Sequence, residues 1–316
     1  MAQIDNQPIL SLCIPIYNRK IYLEKQLKRF LDEKELFEQD IALYISDNCS
    51  TDDLYSCCEE YQQRGLNLEY HRNEMNLGPD GNFENCFRQA KGKYVWLLGS
   101  DDVPCSGVLS KIVQYLKQGD YGLVHLSMRE RKKELTIYDN PDAMAISVNY
   151  WITFMSANII RTNSLRTVNL SDYRTSFMIQ VPAYLNACCF YQRNAIIYCQ
   201  IFFEKETDAA SNGGYNIFEV FVTNLYGIYE SFVQKGLLSQ ETFKTMIKVE
   251  YREFLLSIII HQVILHQKRN FTTDGVRKRL VKYYGNKPYA YYYLVKGLFD
   301  VGIQKLSKSI RGHRGS

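Results

Sequence analysis

Residues 9–16, ILSLCIPI, form an almost unbroken apolar run. Such a run is the pattern of a strand covered on both faces, not of one with a face left to water. It constrains the fold strongly, because helices must be supplied to cover both sides. The sequence supplies them in alternation. Leu23, Leu27, Phe30 and Leu31 recur at helical spacing, and IALYIS (41–46) reads as a second strand, followed by a helix from about Asp52 to Arg64. LNLEYH (66–71) reads as a third strand; Phe83, Cys86, Phe87 and Ala90 then form one helix face after the Gly/Pro break at 78–81. YVWLL (94–98) is a fourth strand, Val108, Ile112, Tyr115 and Leu116 a helix, and YGLVHL (121–126) a fifth strand. This pace predicts an α/β fold with a mostly parallel sheet and helices on both faces.

Beyond residue 126 the pattern changes. Residues 127–150, with a charged run from Arg129 to Glu134, read as an irregular connection; WITFMSANIIR (151–161) reads as a strand or a strand plus turn. The remainder from 177 is mainly helical by pattern. The expected division is 1–126, 127–205 and a helical region over 206–316. The net charge of +4 is mild, and its basic residues concentrate near the C-terminus. With no nucleic-acid motif beside them, they point to an anionic surface and not to nucleic acid. Nine cysteines without a CxxC do not suit a disulfide framework, and the histidines show no zinc spacing. MAQIDNQPIL has no signal-peptide pattern, and FLLSIIIHQVIL (254–265) is too short to span a bilayer. The expectation is a cytoplasmic protein. The segment PYAYYYLVKGLFDVGIQKLSKSIRGHR suits either peripheral contact with the inner face of a bacterial plasma membrane or an ordinary packed helix with a solvated tail.

Three polar clusters fall at predicted strand ends: Tyr17-Asn18-Arg19, Asp47-Asn48-Cys49-Ser50 and Ser100-Asp101-Asp102. Ligands of open parallel sheets bind outside those ends. Adjacent carboxylates repel and lose hydration there, which a divalent cation offsets; hard oxygen donors suit Mg²⁺ or Mn²⁺. The alternative is an Asp-rich turn in which Asp102 caps a helix starting near Ser106. Asp47 and Ser50 can equally build an Asx-type turn.

The succession SLCIPIYNR (11–19), ISDNCSTDD (45–53), NLGPDGNF (76–83) and GKYVWLLGSDD (92–102) resembles the nucleotide-binding half of family 2 glycosyltransferases. The resemblance covers about residues 9–126 and, more weakly, 151–161; within the family it is greatest to abequosyltransferase-type enzymes of bacterial O-antigen synthesis. It implies the GT-A fold and inverting transfer of a sugar, such as a dideoxyhexose, from a CDP-, UDP- or dTDP-linked donor. The implied acceptor is a polyprenyl-diphosphate-linked surface glycan. By the same resemblance Pro15, Tyr17 and Arg19 line the loop that cradles base and phosphates, Asp47 accepts from the base, and Asn76, Gly78 and Asn82 pack near the nucleotide. Ser100 and Asp101 face the donor, and Asp101 with Asp102 holds the metal. Gly99 stands where the commoner DxDD form has its first acidic residue. The catalytic base is expected at Asp172, then Glu206, although Asp172 can instead cap a helix starting near Tyr173. Two other readings remain: a non-catalytic nucleotide-sugar-binding subunit of a glycan-assembly complex, and a sugar nucleotidyltransferase. The latter would need a Gly-rich basic loop after the first strand, and PIYNRK is not one.

Overall fold

The apolar run forms β1 (Leu10–Ile16), buried along its whole length. The structure is a computed structural model describing residues 7–129, 131–201, 214–267 and 271–312. It divides the chain into two units, Met1–Thr207 and Asp208–Ser316. In the first unit β1, β2 (Ile41–Asp47), β3 (Leu68–Arg72) and β4 (Tyr94–Leu97) run parallel, joined by α1 (Lys20–Leu31), α2 (Lys34–Gln39), α3 (Leu54–Gln63) and α4 (Gly78–Gln89). Then follow α5 (Val108–Gln118), β5 (Leu123–Ser127), β6 (Leu135–Tyr138), α6 (Pro141–Val148), β7 (Asn158–Arg161), α7 (Gln180–Phe190) and β8 (Asn194–Tyr198). The sheet order is β3-β2-β1-β4-β7-β5-β8-β6, with β7 and β6 antiparallel to their neighbours.

The five early strands form where the apolar runs place them. Leu23, Leu27 and Phe30 of α1 are fully buried, each worth roughly 1.5–3 kcal/mol relative to exposure. The stretch 127–150 departs from expectation, because it contains β6 and α6. β6 is only partly buried and its sequence, LTIY, follows a charged run, so its apolar signal is weak. α6 has an ordinary start, with Asn140 capping Ala143 N–H at 3.0 Å and Pro141 in the first turn.

The order reverses between β1 and β4, since β2 and β3 lie on one side of β1 while later strands add beyond β4. β4 ends opposite Cys13, with Leu98 N–H donating to the Cys13 carbonyl as the last link. Alternate residues of β1 face alternate neighbours, so Pro15, which has no N–H, faces the side where β4 has already ended. The two strands therefore part at their carboxyl ends, and parallel sheets bind ligands in such a crevice.

Two short 3₁₀ turns, Asn149–Thr153 and Met155–Ala157, lead into β7. Asn158 Nδ2 holds the carbonyls of Ile152 (3.2 Å) and Phe154 (2.8 Å), while its Oδ1 lies 2.9 Å from Nδ1 of His125 on β5. Burial holds His125 down to a pKa of about 4, so it folds neutral. Its folded pKa lies below the unfolded value near 6.5, so this stability is present above pH 6.5 and lost as pH falls toward 4. The loss should be roughly 3 kcal/mol over that window. Urea melts of wild type and His125→Asn across pH 4–7 check this, the variant flattening the slope.

The second unit is helical, as expected: α8 (Leu225–Gln234), α9 (Gln240–Glu250), α10 (Leu256–Ile258), α11 (Val276–Tyr284) and α12 (Pro288–Gly312), with wide π-type turns at Glu219–Asn224, Tyr251–Leu255 and Ile259–Ile264. Its core is tyrosine-rich; the rings of Tyr226, Tyr251, Tyr283, Tyr284 and Tyr289 form a chain of contacts. Burial raises the Glu250 carboxyl among them well above its usual range. Much of FLLSIIIHQVIL is core, with Leu255, Ile258, Ile259 and Ile260 buried. No described helix is long and apolar enough to cross a membrane.

Candidate functional site at the parting of two strands

The segment after β4 turns sharply, Asp102 N–H donating to the Gly99 carbonyl at 3.0 Å. Three buried side chains hold this turn from beneath. Gln26 of α1, fully buried, donates from Nε2 to the carbonyls of both Gly99 and Asp102, each at 2.7 Å. Ser156, also fully buried, accepts from Gly99 N–H at 2.8 Å and donates to Asp102 Oδ2 at 2.5 Å. Trp96 of β4 fixes Ser156 in turn, its Nε1 donating to the Ser156 carbonyl at 2.9 Å. The capping role considered for Asp102 does not form: α5 starts at Val108, behind Gly107 in a left-handed conformation, and the Asp102 carboxylate is taken by Ser156.

Gly99 has a steric reason. A Cβ there would lie 2.6 Å from Asp102 Oδ2 and 3.2 Å from Ser156 Oγ. The space for a first acidic side chain is the space Asp102 occupies.

From the other side of the crevice comes Arg19, just after β1, whose Nη1 lies 3.3 Å from Asp101 Oδ1 and 3.5 Å from Ser100 Oγ. The carboxylate pair thus already draws a cation across the parting strands. Tyr17, 45% exposed, lies in the same loop, but Pro15 is inside β1 and buried, short of the loop it was expected to line. The loop is braced to the next one: Asn18, at a φ of +52°, takes Thr51 N–H at 2.7 Å, and its own N–H donates to Ser50 Oγ at 2.9 Å.

Asp47 at the end of β2 is fully buried. Its Oδ1 accepts Ser50 N–H at 2.8 Å, the Asx-type turn considered from sequence, and its Oδ2 accepts from Tyr70 (2.7 Å) and Arg72 (3.2 Å). For a base N–H to reach Asp47, Tyr70 or Arg72 must yield. Asn76 and Asn82 belong to an amide network. Asn48 Nδ2 donates to Asn76 Oδ1 and the Gly78 carbonyl, while Asn73 and Ser46 both donate to Asn82 Oδ1. Gly78, at a φ of +70°, makes the turn into α4 that this network holds.

Asp172 is exposed in the turn Leu170–Tyr173, its Oδ1 accepting from Asn169 at 2.8 Å. The helix it was considered to cap does not start at Tyr173; α7 begins at Gln180. Between them, Thr175 and Phe177 hold φ values of +71° and +58°, and Asp80 of α4 accepts the N–H groups of Phe177 (2.8 Å) and Ile179 (3.4 Å). Burial raises the Asp80 carboxyl above its usual range. Arg174 pairs with Glu84 at 2.7 Å. Glu206 lies outside the described residues.

Sequence reasoning missed Gln26, Ser156, Tyr70 and Arg72. Gln26 had a signal, since it interrupts the apolar stripe Leu23, Leu27, Phe30 at a stripe position. Ser156 had none, because its role depends on a strand that returns antiparallel beside β4. If Asp102 holds a divalent cation, Ser156→Ala should raise the Mn²⁺ concentration giving half-maximal activity about 10–100-fold, the usual cost of losing a group that orients a metal ligand. A cation titration of activity checks it, and an unchanged midpoint would remove Ser156 from the site.

Among the described residues no three His, Cys, Asp or Glu side chains converge as a metal cage. Asp101 and Asp102 supply two hard oxygen donors beside a cation-seeking crevice, which fits Mg²⁺ or Mn²⁺ shared with substrate phosphates.

The family model for glycosyl transferase family 2 matches residues 11–195. An abequosyltransferase of Salmonella typhimurium is 40% identical over 109 residues, covering 34% of this chain and 32% of that protein. The GalNAc(5)-diNAcBac-PP-undecaprenol beta-1,3-glucosyltransferase of Campylobacter jejuni is 34% identical over 113 residues, covering 35% and 36%. The chain thus spans about a third of the length of each. The crystal structure of Staphylococcus aureus TarS 1-349 superposes with a TM-score of 0.61 at 15% identity, over 81% of this chain and 76% of that one. That fragment has also been solved in complex with UDP-GlcNAc. At such identity the likeness shows the fold, which is GT-A.

Proposed function

The chain belongs to glycosyl transferase family 2, and on that premise we propose that it moves one sugar, with inversion, from a nucleotide-sugar donor to a lipid-linked bacterial surface glycan. The observation that carries this reading is the carboxylate pair Asp101–Asp102 held beneath by Gln26 and Ser156 and met by Arg19 where β1 and β4 part. The names of the relatives support the substrate classes. One transfers abequose and another acts on a PP-undecaprenol-linked glycan, while the TarS fragment takes UDP-GlcNAc.

In this reaction the acceptor oxygen bonds to the anomeric carbon as the bond from that carbon to the diphosphate breaks, its electron pair leaving with the diphosphate. Asp101 and Asp102 would hold Mg²⁺ or Mn²⁺, which supplies neutralising charge for the leaving group. Arg19, now on Asp101, would exchange that partner for a donor phosphate. Tyr17 offers an exposed ring beside the base, and the Asn76–Gly78 turn and Asp47 complete the donor pocket. Asp172 would take the acceptor proton, a contribution of about 10²–10⁴-fold, with Glu206 the second choice.

The test is nucleoside diphosphate release from CDP-, UDP- and dTDP-linked sugars, with Mn²⁺ and an undecaprenyl-diphosphate-linked glycan. Release from one donor class that depends on acceptor and cation is the expected result. Tight donor binding without turnover under any condition would replace the enzyme by a binding subunit.

A further inference from the structure

Over its described side chains, helix α12 packs through one side. Ala290 is buried, Tyr251 Oη donates to its carbonyl at 3.0 Å, and a Cβ at Gly297 would meet Ile260 at 2.6 Å. The opposite side carries Tyr291, Tyr292, Val295, Phe299 and Ile303, three or four residues apart and exposed, Val295 and Phe299 each at 68%. Tyr291 Oη donates to the Gly285 carbonyl at 2.8 Å, which sets this stripe beside the end of α11, where Val281 is also exposed. Water does not favour so continuous an apolar stripe on a helix, and such patches mark interaction surfaces.

Charge selects the occupant. Residues 276–312 hold nine basic residues and one acidic residue, Asp300, a net of +8. The whole chain carries +4, so the remainder carries −4. Lys296 flanks the stripe, and Arg277 and Lys278 are exposed on α11. Two copies meeting on this face would bring like charges together. An anionic bilayer satisfies both features, taking aromatic and aliphatic side chains into the acyl boundary and the cations among its headgroups.

We propose that α12, with the exposed residues of α11, lies flat on an anionic lipid surface and holds the protein there without crossing it. The proposal deepens the reading above, on which it rests only for its purpose, by naming the surface at which a lipid-linked acceptor would be met. Its test needs neither donor nor glycan. The full chain is co-sedimented with phosphatidylcholine vesicles, with and without phosphatidylglycerol, at low and raised salt. Binding should require phosphatidylglycerol and weaken with salt. The double variant Val295→Glu with Phe299→Glu should bind about tenfold more weakly or worse, with an unchanged melting temperature. Arg277→Glu with Lys278→Glu, which spares the helix packing, should also weaken binding. Absence of binding to anionic vesicles, or binding indifferent to both variants, overturns the proposal. So does a concentration-dependent dimer, seen by light scattering, that the first variant dissolves while wild type ignores vesicles; the face would then belong to a second copy. Transfer to a soluble acceptor analogue by a variant that no longer sediments would separate loss of the membrane contact from failure of the enzymatic reading.

Discussion

Asp102→Asn should lower sugar transfer by about 10²–10³-fold, the scale seen when one preorganised charge-stabilising group is removed. The substitution keeps size and shape, and Asn Oδ1 can still accept from Ser156, which donates to Asp102 at 2.5 Å. What is lost is the formal charge beside Asp101, and with it, on the proposed reading, the affinity for a hard divalent cation. The melting temperature should hold or rise, because two adjacent carboxylates at a nearly buried strand end repel each other. Steady-state kinetics at saturating donor, paired with a thermal melt, separates the outcomes. A large fall in kcat without a fall in stability supports the role. A fall in stability as large as the fall in activity would make Asp102 a structural residue.

Gln26→Leu should produce a clear loss of stability from a change that keeps the packing beneath the site. Leucine nearly fills the same volume in the stripe of Leu23, Leu27 and Phe30. It leaves the carbonyls of Gly99 and Asp102 without the amide that holds both at 2.7 Å. The Gly99 carbonyl keeps Asp102 N–H at 3.0 Å, so the main loss is at the Asp102 carbonyl and costs roughly 1–3 kcal/mol, partly offset because the Gln26 Oε1, itself buried without a partner, is also removed. A net loss of about 1–3 kcal/mol corresponds to roughly 2–12 °C for a unit of this size. Calorimetry of the variant reads it directly. Activity should fall with it, since the turn that aims both carboxylates loses its support. A melting temperature unchanged within error would mean that the Gly99–Asp102 turn holds itself.

The strands were legible because burial on both faces demands continuous apolar runs, and ILSLCIPI and YVWLL satisfy that demand without ambiguity. β6 was not, for a physical reason. It is partly buried and, among the described residues, pairs only with β8, so nothing requires it to be apolar. The carboxylate pair was legible as a local conflict, two like charges where a buried strand stops. Its support was not, because Ser156 reaches Asp102 across 54 residues of chain through an antiparallel insertion that no local pattern announces. Asp47 teaches the reverse lesson. Its polar environment drew attention, and the structure places it fully buried among Ser50, Tyr70 and Arg72.

The most direct measurement is isothermal titration of the protein with CDP, UDP and dTDP, each with and without Mn²⁺, on wild type and Asp102→Asn. If Asp101 and Asp102 hold a cation shared with the donor diphosphate, Mn²⁺ should tighten one nucleotide at least about tenfold in wild type, and that gain should vanish in the variant. A nucleotide that binds equally well with and without Mn²⁺, and equally well to Asp102→Asn, would contradict a metal-assisted site at the parting of β1 and β4.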